Sequence, residues 1–211
     1  MTVTNKGILS GDVNSAVITL PDGVTLNGKG HTISTAADWE TTLDSKIKNH
    51  ILGVTAATTS VTIQNVTIVG NGSTKHGINA WTGEGDAGKV ALSNVTIQNC
   101  GAAGMVIKNT EVTADNLTTS GNAWGGINVD NAGNPKLTLS NPSIVEPVQV
   151  WTELTNVLEG TITIDNEDFI PVAGEGSSTD STGLKGFIYY TTDPAKLGEA
   201  SIEKDGKITV Y

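Results

Sequence analysis

Four stretches of the chain are variants of one phrase, and that repetition limits the folds open to it. SVTIQNVTIVGNG occupies 60–72, KVALSNVTIQNCG 89–101, EVTADNLTTSGNA 111–123 and KLTLSNPSIVEP 136–147. Aligned on Asn65, Asn94, Asn116 and Asn141, the copies lie 29, 22 and 25 residues apart. Strand-like text recurring at such a period describes a solenoid, each repeat one unit stacked on its neighbours.

Within one copy the side chains alternate. Val61 and Ile63 face one way and Thr62 the other. Gln64-Asn65 interrupts, and Val66 and Ile68 then resume with Thr67 outward. Two half-buried strands joined by a polar pair make an L-shaped bend, and asparagine tolerates the left-handed backbone that such a bend needs. Asparagines stacked at one bend can hydrogen-bond along the column, so they read as a structural ladder and not as ligands.

A third strand follows each pair: His76–Trp81, Gly104–Lys108, Gly126–Asp130 and Val148–Trp151, aligned on Ile78, Met105, Ile127 and Val148. Three short strands per turn define a three-sided parallel β-helix with coils rising about 4.8 Å. An earlier coil is legible from Ile18 to Ile33, turning at Pro21-Asp22-Gly23 and Asn27–Gly30. Ser34–Asn49 is irregular; Trp39, Leu43 and Ile47 lie four apart, which reads as a short helix or a protruding loop. Ile51–Val54 supplies the next third-series strand.

From about Glu159 the rhythm fails. Thr161–Ile164, Phe187–Thr191 and Ser201–Tyr211 read as strands, the last turning at Asp205-Gly206, and Gly174–Gly183 as a flexible loop. A solenoid end needs a cap. The expectation is an all-β, right-handed parallel β-helix of about five coils over residues 1–158. Residues 159–211 then form a C-terminal β cap or the start of a further module.

PDGVTLNGKGHTI at 21–33 and the Asn-Val-Thr-Ile bends at 65–68 and 94–97 resemble the pectate-lyase-like right-handed parallel β-helix superfamily, over roughly residues 5–158. That superfamily includes lyases, hydrolases, epimerases, tailspikes and adhesins, so the resemblance implies a fold more than an activity. In its enzymes, sugar chains lie across the third-strand sheet. The outward positions there form two columns: Asn79, Val106, Asn128 and Gln149, and Trp81, Lys108, Asp130 and Trp151. Two indoles flanking a cation and an anion suit the apolar faces and hydroxyls of a glycan. The competing reading packs the tryptophans beneath loops such as Thr82–Gly88.

Catalysis is less well supplied. Asn128-Val129-Asp130 is similar to the Asn-X-Asp element of polygalacturonases, but their Asp-Asp and Gly-His-Gly companions are missing. Glycosidases need two opposed carboxylates; Asp130 has no outward carboxylate in the adjacent coils of its column, and Glu84 and Asp86 in the Thr82–Gly88 loop are the acids that could approach it. Pectate-type lyases pair an arginine or lysine base with calcium, and this chain has no arginine. Lys108 beside Asp130 has its charged form favoured, the wrong direction for a base. If the chain is an enzyme, Asp130 and Lys108 are its catalytic candidates; no metal ligand set or cofactor site is read. His50 and His76, 26 apart, each precede a third-series strand and stack in neighbouring coils, whereas His31 belongs to another sheet. Cys100 stands alone as an incidental turn thiol.

The net charge of −10, with lysine the sole basic residue besides histidine, repels phosphate backbones and excludes nucleic acid as a partner. No apolar run is long enough to span a membrane. No charged-then-apolar leader follows Met1, as expected of a processed segment or of a cytoplasmic chain alike. The outward threonines (Thr62, Thr113 and Thr138, broken by Ala91; Thr67, Thr96 and Thr118 with Ser143) are what β-propensity places on exposed strands, and ice binding is not needed to explain them. The expected role is an extracellular or cell-surface module of stalk or adhesin type, holding polysaccharide or glycan on the Trp81–Trp151 strip. The alternatives are a polysaccharide lyase or glycoside hydrolase, and a purely structural spacer.

Overall fold

A computed structural model of the 211-residue chain describes residues 7–8, 11, 13–15, 18–35, 50–54, 59–72, 76–130, 132–152, 161–179, 185–191, 200–202 and 208–210. Its strands in chain order are β1 (Gly7–Ile8), β2 (Val13–Ser15), β3 (Ile18–Leu20), β4 (Thr25–Asn27), β5 (Thr32–Thr35), β6 (His50–Val54) and β7 (Ser60–Val69). There follow β8 (His76–Trp81), β9 (Gly88–Gln98), β10 (Met105–Lys108), β11 (Thr110–Ser120), β12 (Ile127–Val129), β13 (Lys136–Ser140), β14 (Ser143–Ile144) and β15 (Val150–Thr152). The last are β16 (Ile162–Asp165), β17 (Ile170–Thr179), β18 (Lys185–Thr191), β19 (Ala200–Ile202) and β20 (Ile208–Val210). The reading around Trp39, Leu43 and Ile47 falls outside the described residues.

The strands stack as a parallel β-solenoid. One sheet runs β3, β6, β8, β10, β12, β15; the other runs β1, β4, β7, β9, β11, β13, β16, with β2, β5 and β14 extending it round a corner. The three expected faces are present, but two of them belong to one continuous sheet. β7, β9 and β11 are unbroken strands of 10 or 11 residues, each folded at its asparagine. Asn65, Asn94, Asn116 and Asn141 have φ between 50° and 53°, the left-handed conformation that costs most other side chains about 1 kcal/mol or more. Their amides form the ladder: Asn94 Nδ2 donates to Asn65 Oδ1 and Asn116 Nδ2 to Asn94 Oδ1, both at 3.2 Å. At the last rung the ladder turns aside, because Asn141 Nδ2 donates to Asp115 Oδ1 at 3.0 Å.

Alternation then fills the solenoid. Val61, Ile63, Val66 and Ile68 stack under Val90, Leu92, Val95 and Ile97, all at most 3% exposed, while Ile78, Met105, Ile127 and Val150 close the core from the facing sheet. The regular part amounts to about four turns rather than five. In β6–β7, β8–β9, β10–β11 and β12–β13–β14 a third-series strand leads into a bent pair. The lowest coil, β3–β4–β5, stacks in register with the next and has a wider bend.

At the upper end β18 pairs antiparallel with β15, and β17 antiparallel with β18, so the parallel stack ends in a reversed hairpin. Gly174–Thr179, expected as loop, belongs to β17, with a register shift between Gly174 and Thr179. Glycines in a strand commonly mark such irregularities. β19 and β20 form a separate antiparallel pair.

Candidate functional site

The outer face of the third-series sheet carries the residues singled out above. Ile78, Ala80, Met105, Ile107, Ile127 and Val129 are fully buried in the core, so alternation turns Asn79, Trp81, Val106, Lys108 and Asn128 away from it. Met105 is in register with Ile78 and with Ile127, which sets Asn79, Val106 and Asn128 in one column. Trp81 pairs with Lys108, and the Asp130 N–H donates to the Ile107 carbonyl at 3.0 Å. Lys108 Nζ then meets Asp130 Oδ2 at 2.9 Å. The second column therefore exists as Trp81, Lys108, Asp130, with Trp81 43% exposed.

Trp151 does not belong to it. Val150, not Val148, is in register with Ile127, and Trp151 pairs with Asn128 in the first column. A slip of two residues leaves every side chain on its expected face and moves it one place along the strand, so alternation cannot detect it. Gln149 leaves the column altogether and is buried ahead of β15, its Nε2 donating to the Ile144 carbonyl at 2.7 Å.

The first column also differs from expectation in exposure. Asn79, Val106, Asn128 and Trp151 are 8%, 3%, 5% and 0% exposed, although they point away from the solenoid core. Along this column the sheet is buried on its outer face as well as its inner one. The Asn79 Oδ1 and the Trp151 Nε1 are closed off from water without a hydrogen-bond partner among the described residues, which is costly for polar atoms. Of the two expected anchors, Trp81 is open and Trp151 is interior.

His50 and His76 are in register on β6 and β8, as the spacing predicts. The His76 ring packs edge-on against Trp124, with centroids 5.4 Å apart and planes at 87°. As a residue His76 is only half-buried, but its Nδ1 is shut off from water. Desolvation, helped by the Lys108 and His50 charges, lowers its pKa to about 4 against the opposing pull of the Ala103 carbonyl and Asp130. His76 is thus neutral at pH 7.

The Thr82–Gly88 loop is held on the next coil by Asn109, whose role the sequence did not reveal. Asn109 Nδ2 donates to the Gly83 carbonyl at 2.7 Å and the Gly85 carbonyl at 3.1 Å, and its Oδ1 accepts from the Asn134 N–H at 3.0 Å. Thr82 Oγ1 donates to the Asn109 carbonyl at 2.7 Å and accepts from the Gly88 N–H at 2.9 Å. Glu84 and Asp86 are exposed on this fixed loop. The one available signal was Asn109 itself, an asparagine between two strands where each neighbouring coil also turns.

A second polar centre, also missed, lies at the corner leading into the third series. Buried Glu146 accepts from Thr119 Oγ1 and Asn122 Nδ2, both at 2.6 Å, and from the Asn122 N–H at 3.3 Å. Cys100 is buried beside this network, and desolvation pushes its thiol up to about 12, which leaves it unreactive. Among the described residues no group of three or more His, Cys, Asp or Glu side chains is placed to hold a metal ion, and no helix is long and apolar enough to cross a membrane.

No protein-family model matches the chain, and neither a curated protein nor a solved structure matches it.

Proposed function

We propose that the chain is a β-helical module of stalk or adhesin type, extracellular or at a cell surface, that holds glycan against Trp81. We place it with the pectate-lyase-like right-handed parallel β-helices, on the Asn-Val-Thr-Ile bends and the ladder they build. The observation that carries the binding reading is Trp81, a large aromatic left 43% exposed beside the Lys108–Asp130 pair. An indole face takes the apolar side of a sugar ring, and the flanking charges offer donors and acceptors to its hydroxyls. The stacked rungs supply a rigid scaffold for that contact, as a spacer also requires.

The pairing of Lys108 with Asp130 at 2.9 Å favours binding over lyase or hydrolase chemistry, because each group is committed to the other. A glycan array tests the proposal. Binding by the parent chain that disappears in Trp81→Ala and persists in Asp130→Asn supports adhesion. Unsaturated or reducing ends released from acidic polysaccharides, and lost in Asp130→Asn, would establish an enzyme. Silence in both assays leaves the spacer.

A further inference from the structure

The lowest bend differs from every bend above it. Asn27 is in register with Gln64 and Thr32 with Thr67, so residues 28–31 cover a corner that Asn65 and Val66 cover one coil higher. The extra length is ordered. Gly28 N–H donates to the Gln64 carbonyl at 2.8 Å, Gly30 N–H to the Asn65 carbonyl at 2.7 Å, and His31 N–H to the Gly28 carbonyl at 2.8 Å. Only glycine fits at position 28, since a Cβ there would come within 2.6 Å of the Val66 Cβ.

The loop stands out from the coil above and leaves a shallow depression of about 380 Å³, lined by Lys29, Gly30, Asn65, Thr67, Asn94 and Thr96. That volume falls within the range of small-ligand sites. Among the described residues no acidic side chain lines it, in a chain whose net charge is −10. Among the described residues no carboxylate pairs with Lys29.

Lys29 is also out of place. Seven non-glycine residues among those described have positive φ, and the other six are asparagines. Lysine at φ 50° keeps a conformation that asparagine adopts more readily, so local backbone preference does not account for it.

The geometry points to a second ligand site at this corner, taking a sugar that carries one oxyanion. The Lys29 ammonium meets the anion and the Thr67 and Thr96 hydroxyls meet the ring hydroxyls, while the Asn65 and Asn94 side chains stay in the ladder. The site lies on the folded sheet, away from the third-series face, and does not depend on Trp81.

Amide NMR titration of the intact chain with glucose, glucuronate, glucose 6-sulfate and sodium sulfate tests it. The expected result is saturable shifts at Gly30, Thr67 and Thr96 with both charged sugars, and binding several-fold weaker with glucose and with sulfate alone. Lys29→Asn suits the left-handed backbone and removes the charge, so it folds and weakens binding about three- to fivefold, the scale of an exposed ion pair. Lys29→Arg retains binding. Equal shifts from glucose, equal binding of free sulfate, no shifts at these amides, or unchanged affinity in Lys29→Asn would each overturn the site. Trp81→Ala is expected to leave these shifts intact, which separates this outcome from the fate of the Trp81 proposal.

Discussion

The asparagine corner and the outer face of the third-series sheet lie on the same coils, yet they are built by opposite rules. At the corner one residue type recurs, each copy in the left-handed conformation, and Asn65, Asn94 and Asn116 bond to one another. On the outer face no residue repeats in all four rungs: Asn79, Val106, Asn128 and Trp151 share a column, and two of its polar atoms lack partners among the described residues. The corner fixes the coil. The face is where coils are permitted to differ, and in solenoids that is where individual functions are accommodated.

The largest test of this contrast is Trp151→Ala. A fully buried indole on the outer face should cost about 3 kcal/mol or more in denaturant unfolding, whereas Trp81→Ala should cost well under 1 kcal/mol. Equal, small costs would show that the face is not a second interior. Next comes Glu146→Gln, which turns one acceptor of the Thr119–Asn122 network into a donor and should cost about 2 kcal/mol. A neutral result would mean the carboxylate is dispensable at that corner.

Asn94→Ala should lose about 1–2 kcal/mol, from the strained φ and two ladder bonds together. Asn94→Gly relieves the strain and loses only the bonds, so it should fall between Asn94→Ala and the parent in urea midpoint. If the two variants unfold together, the ladder and not the backbone sets the cost.

The smallest effect concerns Asp22, at the turn of the lowest coil. Its Oδ1 accepts from Thr59 N–H, Thr59 Oγ1 and Ser60 N–H at 2.7–2.9 Å. The Ser60 backbone bond, then the Thr59 bonds, lower its pKa from 3.8 to about 2. Its contribution is therefore complete above about pH 4 and lost as pH falls through 2. Asp22→Asn should flatten the melting temperature against pH in that window and lower it by a constant amount above pH 5. A carboxyl titrating near 3.8 by carbon-detected NMR would contradict it.

Most of the architecture was legible because it rests on local rules repeated in register. Alternation of Val61, Ile63, Val66 and Ile68 defined the buried side, and each shared asparagine marked a bend. The threonine columns read from sequence also hold, and register extends them to Thr25 and Thr163 on one face and Thr32 on the other. What escaped was non-local. The Val148–Val150 ambiguity is invisible to a period of two, and it moved Trp151 out of its expected column. Burial of the outer face depends on what covers it, which no strand pattern encodes. Asn109 and Glu146 act through partners 24 to 27 residues away.

The folding of two faces into one continuous sheet also has a mechanical side. Hydrogen bonds between rungs run along the solenoid axis, so bending or compressing the rod loads many of them at once. Tension along the axis passes through every rung interface in series, so the weakest interface yields first. Pulled hard enough, such a rod should pay out one coil at a time, like thread leaving a spool, and give a sawtooth of small force drops, unequally spaced as the coils are unequal in length, rather than a single rupture.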